Sequence, residues 1–253
     1  MDKTKNTHAG KAENYDIGRP EYPKDFFDYI YGELGLRENS VIADIGAGTG
    51  KIAKEFLGRG SSVFAVEPDK DMLFYLKRNL DGFEKAAIIE AAAENTGIAS
   101  NATDLIFCGN SYMWFDRKKV VPEFQRIARE SESNNIILAR LGPGESNHTE
   151  ALLEIEKRFH KPNSSRSPNI APPFVSNKFT AKTFEFTFYQ SCEQFLHGCL
   201  SMSAAPNDED SDFEMYCNTL ANLFAKHSRK DLLEENFNLS CIIGNTKSLD
   251  IAS

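Results

Sequence analysis

The sequence predicts an α/β protein with a doubly wound, mostly parallel sheet. Three observations predict it. Short apolar runs alternate with amphipathic, helix-length segments between residues 40 and 142; the first run ends in a glycine-rich turn; and 41% of the 253 residues are hydrophobic, enough for a sizeable core.

SVIADIG (40–46) is apolar, short and closed by glycine, the pattern of a buried parallel strand. KIAKEFLG (51–58) places Ile52, Ala53, Phe56 and Leu57 on one helical face and stops at Gly58. SSVFAVEP (61–68) is a second strand. DKDMLFYLKRNL (69–80) opens with acids and closes with Lys77 and Arg78, the order a helix dipole favours. KAAIIEA (85–91) and TDLIFCGN (103–110) are strands three and four. RKKVVPEFQRIARE (117–130) carries Val120, Val121, Phe124, Ile127 and Ala128 as one stripe, which puts Pro122 in the first turn of a helix. NNIILARLG (134–142) is the fifth strand.

After Gly142 the rhythm changes. HTEALLEIEKRFH (148–160) reads as a helix and KPNSSRSPNIAPP (161–173) as a loop; TFEFTFYQ (183–190) and NFNLSCIIGN (236–245) supply strands six and seven around a helix at 211–228. The expected organisation is a single domain, 1–253: an N-terminal segment (1–39), a core (40–142), an insertion between strands five and six (143–182) that serves as a lid, and closing strands and helices (183–253).

Composition narrows the function. Lys and Arg number 29 against 37 Asp and Glu, a net charge of −8, and the pI is near 5.3. Bulk binding to a phosphate backbone, which needs clustered cations, is disfavoured. No window approaches the ~18 apolar residues of a membrane span, and the polar start MDKTKNTHAGKAEN lacks a secretory h-region. Five cysteines without a CxxC pair read as reduced thiols, and no metal site is expected. These features fit a cytoplasmic protein with no nucleic-acid or membrane partner.

The chemistry is carried by VIADIGAGTG (41–50). Gly46, Gly48 and Gly50, at every second position, let the chain turn sharply and approach a ligand without a Cβ in the way. A dinucleotide fingerprint starting at Gly46 would need its third glycine at Lys51, and a Walker loop would need Ser or Thr after Gly50–Lys51, where Ile52 stands. Neither is met. Glu67, 23 residues after Asp44, ends the second strand, where a carboxylate can accept both hydroxyls of a ribose.

DxGxGxG, from Asp44 to Gly50, resembles motif I of the class I S-adenosylmethionine-dependent methyltransferases, and AENYDIGRPEYP (12–23) is similar to the amino-terminal segment of their type 11 group, which includes quinone-biosynthesis and trans-aconitate enzymes. The resemblance, over roughly residues 12–142, implies a seven-stranded Rossmann-like sheet and S-adenosylmethionine as cofactor, leaving as S-adenosylhomocysteine. It implies that Tyr15 and Arg19 cover the methionine end, that Asp44, Gly46, Ala47, Gly48 and Gly50 form the turn, and that Glu67, Pro68 and Met72 meet the ribose and adenine. Ala93 and Glu94 stand at the adenine position, with Ala92 where the group usually has an acid. Asn110 and Ser111 fall under the transferred methyl, and Tyr112, Met113 and Trp114 line the acceptor side, Met113 occupying the place of a frequent His.

Methyl transfer from a sulfonium is an in-line displacement in which the protein mainly aligns the reactants. Only an acceptor that loses a proton in the step needs a base, and none is assigned: His8 lies in the amino-terminal tail, His148, His160 and His197 read as structural, and His227 ends a helix where a charged ring suits the dipole. Two further readings stay open: a protein that binds the cofactor without turnover, as a sensor or partner subunit, and a nicotinamide oxidoreductase, against which the glycine spacing speaks.

Overall fold

The computed structural model describes residues 10–131, 133–161, 173–175 and 178–250. Seven strands form one sheet in the order β3-β2-β1-β4-β5-β7-β6: β1 (Val41–Ile45), β2 (Ser62–Val66), β3 (Ala86–Ile89), β4 (Leu105–Gly109), β5 (Ile136–Pro143), β6 (Phe179–Gln190) and β7 (Leu233–Gly244). The β1–β2, β1–β4, β2–β3 and β4–β5 pairings are parallel, and the sheet is mixed but mostly parallel. The order reverses beside β1, between β2 and β4. That switch point is where an open α/β sheet leaves a crevice at the carboxyl ends of its strands.

The helices between β1 and β5 form where the apolar stripes lie: α3 (Lys51–Gly58), α4 (Lys70–Asn79) and α5 (Arg117–Ile127). Pro122 departs from expectation. It is the sixth residue of α5, not part of its first turn, because Asp116 starts the helix by accepting from the Lys118 N–H at 3.1 Å. Pro122 lies on the exposed side of the helix, so water can serve the Lys118 carbonyl that a residue with an N–H would have bonded.

The chain clusters into two compact units, the first made of the described parts of 1–20, 142–166 and 185–237, the second of 21–141, 167–184 and 238–253. The second unit holds α2 (Lys24–Glu33), not foreseen in the sequence, and a core in which Ile45, Ile106, Val120, Phe124 and Ile136 are fully buried. Phe26 packs edge-on to Phe27, and its ring centroid lies 5.9 Å from that of Phe107.

The first unit contains α1 (Ala12–Gly18), α6 (Thr149–Phe159), α7 (Cys192–Leu200) and α8 (Phe213–His227). Neither α1 nor α7 was foreseen as a helix. Phe159, Phe195, Tyr216, Leu220 and Leu233 build its core. α1 crosses α7 so closely that a Cβ on Gly18 would stand 2.0 Å from the Gly198 nitrogen. Lys11, 5% exposed, donates to the carbonyls of Met202 and Ala205, each at 2.8 Å, and of Leu200 at 3.3 Å. Burial, helped by Lys161 and opposed by Asp210, brings its ammonium down to about 8.

Two boundaries shift. β6 begins at Phe179, inside the stretch assigned to the insertion, and β7 begins three residues early, at Leu233. Most of the Pro- and Ser-rich loop expected as a lid, and His8, lie outside the described residues.

Candidate functional site

The turn after β1 is built from backbone. The N–H groups of Gly46 and Ala47 donate to the Val66 carbonyl at 2.9 and 3.0 Å, lashing the turn to the end of β2, and Gly50 N–H closes it on the Ala47 carbonyl at 3.0 Å. Gly46, Gly48 and Gly50 have φ of 73°, 58° and 90°, left-handed values that L side chains resist. The alternating glycines are thus a conformational requirement. At Gly46 there is also no room: a Cβ would lie 2.5 Å from the Cβ of Ser111.

Glu67 is 7% exposed and reaches into this turn. One carboxylate oxygen accepts from the Gly48 N–H at 2.8 Å, the other from the Asp69 N–H at 2.9 Å. Burial pushes its carboxyl up, and those two N–H groups oppose the shift. Asp69 then caps α4, accepting from Asp71 and Met72 N–H groups at 2.8 and 3.1 Å. Met72 is buried behind this cap and Pro68 is exposed beside it.

Asp44 is 2% exposed, and its Oδ2 has no hydrogen-bond partner among the described residues. Burial first, then the charge of Glu67, raise its carboxyl to about 7, against the backbone N–H of Ala53. A buried, half-satisfied carboxylate beside a glycine cradle is what a cationic or hydroxyl-bearing ligand would complete.

β4 supplies the facing wall. Asn110 sits in the left-handed region at φ 53° and its side-chain oxygen accepts from the Leu141 N–H at 3.1 Å. The Ser111 hydroxyl donates to the Ile45 carbonyl at 2.6 Å, fixing the wall to the turn. Tyr112 is buried with its hydroxyl unpartnered and pushed up to about 12 by burial. Met113 is half-buried and Trp114 is 48% exposed. Phe115 stacks edge-on to Tyr112 and Phe124.

The loop after β3 differs from the expected adenine wall in its detail. Ala92 is exposed and Ala93 buried, while a Glu94 oxygen accepts from the Asp116 N–H at 2.8 Å and so anchors the start of α5. Tyr15 and Arg19 belong to the first unit. There Arg19 lies over the Tyr15 ring at 5.3 Å and donates to the Met202 sulfur at 3.1 Å, and its Nε is buried without a partner. The remaining residues of the expected constellation, Asp44 to Trp114, all fall in the second unit.

Sequence reasoning missed Thr49 and Asn79. Asn79 Nδ2 donates to the Thr49 carbonyl at 2.9 Å and pins the turn to α4; an Asn in the last turn of a helix gave no such signal. It missed Tyr22 as well, whose hydroxyl stands 2.8 Å from where a Cβ on Gly109 would be, at the end of β4.

The histidines divide. His197 Nδ1 is 2.6 Å from Asn14 Oδ1 and ties α7 to α1, while His148 is 1% exposed with its Nε2 unpartnered, 3.9 Å from Glu235. His227 ends its helix as expected, and burial, Lys226 and His148 all lower its pKa against the field of the helix end. All five cysteines are free thiols. Among the described residues no cluster of His, Cys, Asp and Glu could hold a metal ion, and no helix is long and apolar enough to cross a membrane.

Fold and turn together define a class I methyltransferase architecture. Residues 43–131 match the family model of a methyltransferase domain, and over that segment the chain resembles the type 11 methyltransferase group. An uncharacterized methyltransferase of Mycobacterium tuberculosis is 30% identical over 115 residues, which are 46% of this chain and 44% of the relative; an uncharacterized methyltransferase-like protein of Schizosaccharomyces pombe is 27% identical over 124 residues, 49% and 47% of the two chains. The alignments thus span less than half of the curated relatives. Among solved structures, a candidate type II methyltransferase of Anaeromyxobacter dehalogenans superposes with a TM-score of 0.62 at 17% identity, covering 90% of this chain and 98% of the other. A phosphoethanolamine N-methyltransferase of Haemonchus contortus, in complex with phosphomonomethylethanolamine and S-adenosylhomocysteine, gives 0.52 at 16% identity, over 96% and 59%. At these identities the structures establish the fold.

Proposed function

We propose that the Asp44–Gly50 turn and Glu67 bind S-adenosylmethionine, and that the protein transfers its methyl group in line to a small-molecule acceptor. The observation that carries this reading is the turn itself: three left-handed glycines lashed to the end of β2, preceded by the buried Asp44 of β1 and bonded at the Gly48 N–H by the buried Glu67 that follows β2. In this reading the second lone pairs of the Glu67 oxygens accept the ribose hydroxyls. Pro68 and Met72 flank the adenine, and Ala93 and Glu94 offer it backbone and side-chain contacts.

The cofactor brings the reactive carbon. The protein's own contribution is alignment: Asn110 and Ser111, held by their bonds to Leu141 and Ile45, fix the floor, and Tyr112, Met113 and Trp114 frame the acceptor. Tyr112, with its hydroxyl held protonated and unpartnered, is a donor available to an acceptor oxygen. The test is calorimetric titration with S-adenosylhomocysteine, beside a Glu67→Ala variant and NAD. Micromolar binding that is lost in the variant and absent for NAD is the expected result; equal binding of NAD would replace this reading by an oxidoreductase. The exposed Ala92 and the thioether of Met113, where the group usually has an acid and a His, favour binding without turnover as a second reading. A methylated product from an acceptor panel eliminates it.

A further inference from the structure

The sheet has two edges, and they differ. β3, at one end of the strand order, has four residues; β6, at the other end, has twelve, about twice the common strand length. The unpaired N–H and C=O groups of an edge are a template for another strand, and proteins blunt such edges by brevity, proline or charge. β3 is blunted by brevity. β6 holds no proline, and its only charged residues are Lys182 and Glu185. Among the described residues no strand pairs with its outer side. The two faces of β6 are sorted by chemistry. On one face the Tyr189 hydroxyl donates to Glu234 at 3.4 Å, the Thr187 hydroxyl donates to Asn236 at 2.8 Å, and the Thr183 and Ser240 hydroxyls are 3.4 Å apart. The β7 partners rise in number as the β6 residues fall, so the two strands are antiparallel and the odd positions share a polar face. On the other face lie Phe184, Phe186 and Phe188, all half-buried. Phe186 stacks on Phe237 with centroids 5.8 Å apart, and Phe188 meets the same ring edge-on at 6.4 Å.

We propose that β6 is an interface with a second copy of this chain, two β6 strands pairing antiparallel about a two-fold axis at Phe186. This goes beyond the cofactor reading and does not depend on it. A two-fold axis perpendicular to a continuous sheet keeps every side chain on its own face. It therefore passes through a residue, and the residues set opposite each other have the same parity. An axis at Lys182 or Glu185 would set like charges opposite one another. An axis at Phe184 would set Phe186 against Lys182, and one at Thr187 would shorten the overlap. At Phe186 the ring meets its own copy, Phe184 meets Phe188, Glu185 meets Thr187 and Lys182 meets Gln190. That register gives aromatic cross-strand pairs on one face and no like charges opposite each other on either, the combination that stabilises paired strands. The same self-complementarity selects a second copy over a foreign strand.

The experiment is sedimentation velocity on the full chain from about 1 to 100 µM, the range suited to a small strand-to-strand interface. The wild type should pass from the 28.3 kDa monomer toward twice that mass. Thr187 lies opposite Glu185 in this register. Thr187→Glu therefore sets two like-charged pairs across the axis and should weaken the dimer, whereas Thr187→Lys supplies two opposite-charged pairs and should tighten it. Their dissociation constants should differ by at least about tenfold. Both variants lose the hydroxyl bond to Asn236 alike, so only the charge separates them. Should either variant fail to fold, amide hydrogen exchange of the wild type takes its place: β6 should gain protection between about 1 and 100 µM, and β3 should not. A monomer throughout that range, a dimer that the two variants form equally well, or protection of β6 that does not change with concentration overturns the inference.

Discussion

Gly46 and Gly97 form a matched pair for testing what the turn requires. Both have φ of 73°. A Cβ on Gly97 would meet nothing within 4 Å, whereas one on Gly46 would stand 2.5 Å from Ser111 Cβ and 3.0 Å from its hydroxyl. Gly97→Ala therefore measures backbone strain alone, about 1–2 kcal/mol for an L residue in the left-handed region. Gly46→Ala carries the same strain and must also push Ser111 aside, breaking the 2.6 Å bond to the Ile45 carbonyl. That bond contributes about 1 kcal/mol and the overpacking costs about 1–3 kcal/mol more, so the expected loss is roughly 3–6 kcal/mol. For a chain of this size the melting temperature should fall by about 3–6 °C in Gly97→Ala and by roughly 10–15 °C in Gly46→Ala. Circular dichroism melts read the stability, and titration with S-adenosylhomocysteine reads the site, which only Gly46→Ala should lose. Adding Ser111→Gly to Gly46→Ala removes the obstructing Cβ and should recover a large part of the difference. Equal melting shifts for the two alanine variants, or a double variant no better than Gly46→Ala, would refute the steric argument.

Two further predictions concern stability within each unit. Glu123 is 8% exposed; burial alone would raise its carboxyl, but the Arg126 hydrogen bonds and both donors of Thr96 overcome that and hold it at about 2, against an ordinary 4.5. A depressed carboxylate stabilises the fold above the ordinary range, and the benefit disappears as pH falls through the folded value. Glu123→Gln should therefore cost about 2–3 kcal/mol at pH 7, discounted for the partly exposed Arg126, in urea melts, with the gap to wild type closing between about pH 4.5 and 2. In the first unit, Gly18→Ala forces a Cβ into the backbone of Gly198, where no side chain can yield. It should destabilise by at least about 2 kcal/mol and speed proteolysis near Lys11, while Gly32→Ala, with nothing within 4 Å, stabilises α2 slightly.

What the sequence disclosed follows from how local each signal is. The strands and helices from β1 to β5 were legible because each is an uninterrupted apolar pattern bounded by its own turn residues. The glycine turn was legible because φ above zero selects glycine directly. Pro122 was misplaced because a proline's missing N–H points to a first turn, whereas the capping Asp116 fixes where the helix starts. α1 and α7 were missed for a related reason. α1 has seven residues, too few for a periodicity to declare itself, and α7 packs against it through Gly198, a residue that reads as a breaker in one dimension and as a contact in three. At His227 the helix end supplies a favourable field, Lys226 beside it in the chain opposes it, and the opposing burial and His148 come from elsewhere in the fold. The adjacency of the strand ends that carry Asp44 and Glu67 belongs to the same class. Each residue was found, 23 positions apart, by its place at the end of a strand, yet only the parallel register, which sets Asp44 beside Ala65 and Ile45 beside Val66, lays those two strand ends side by side. A sequence motif can thus name the residues at two strand ends, while their adjacency is a property of the sheet.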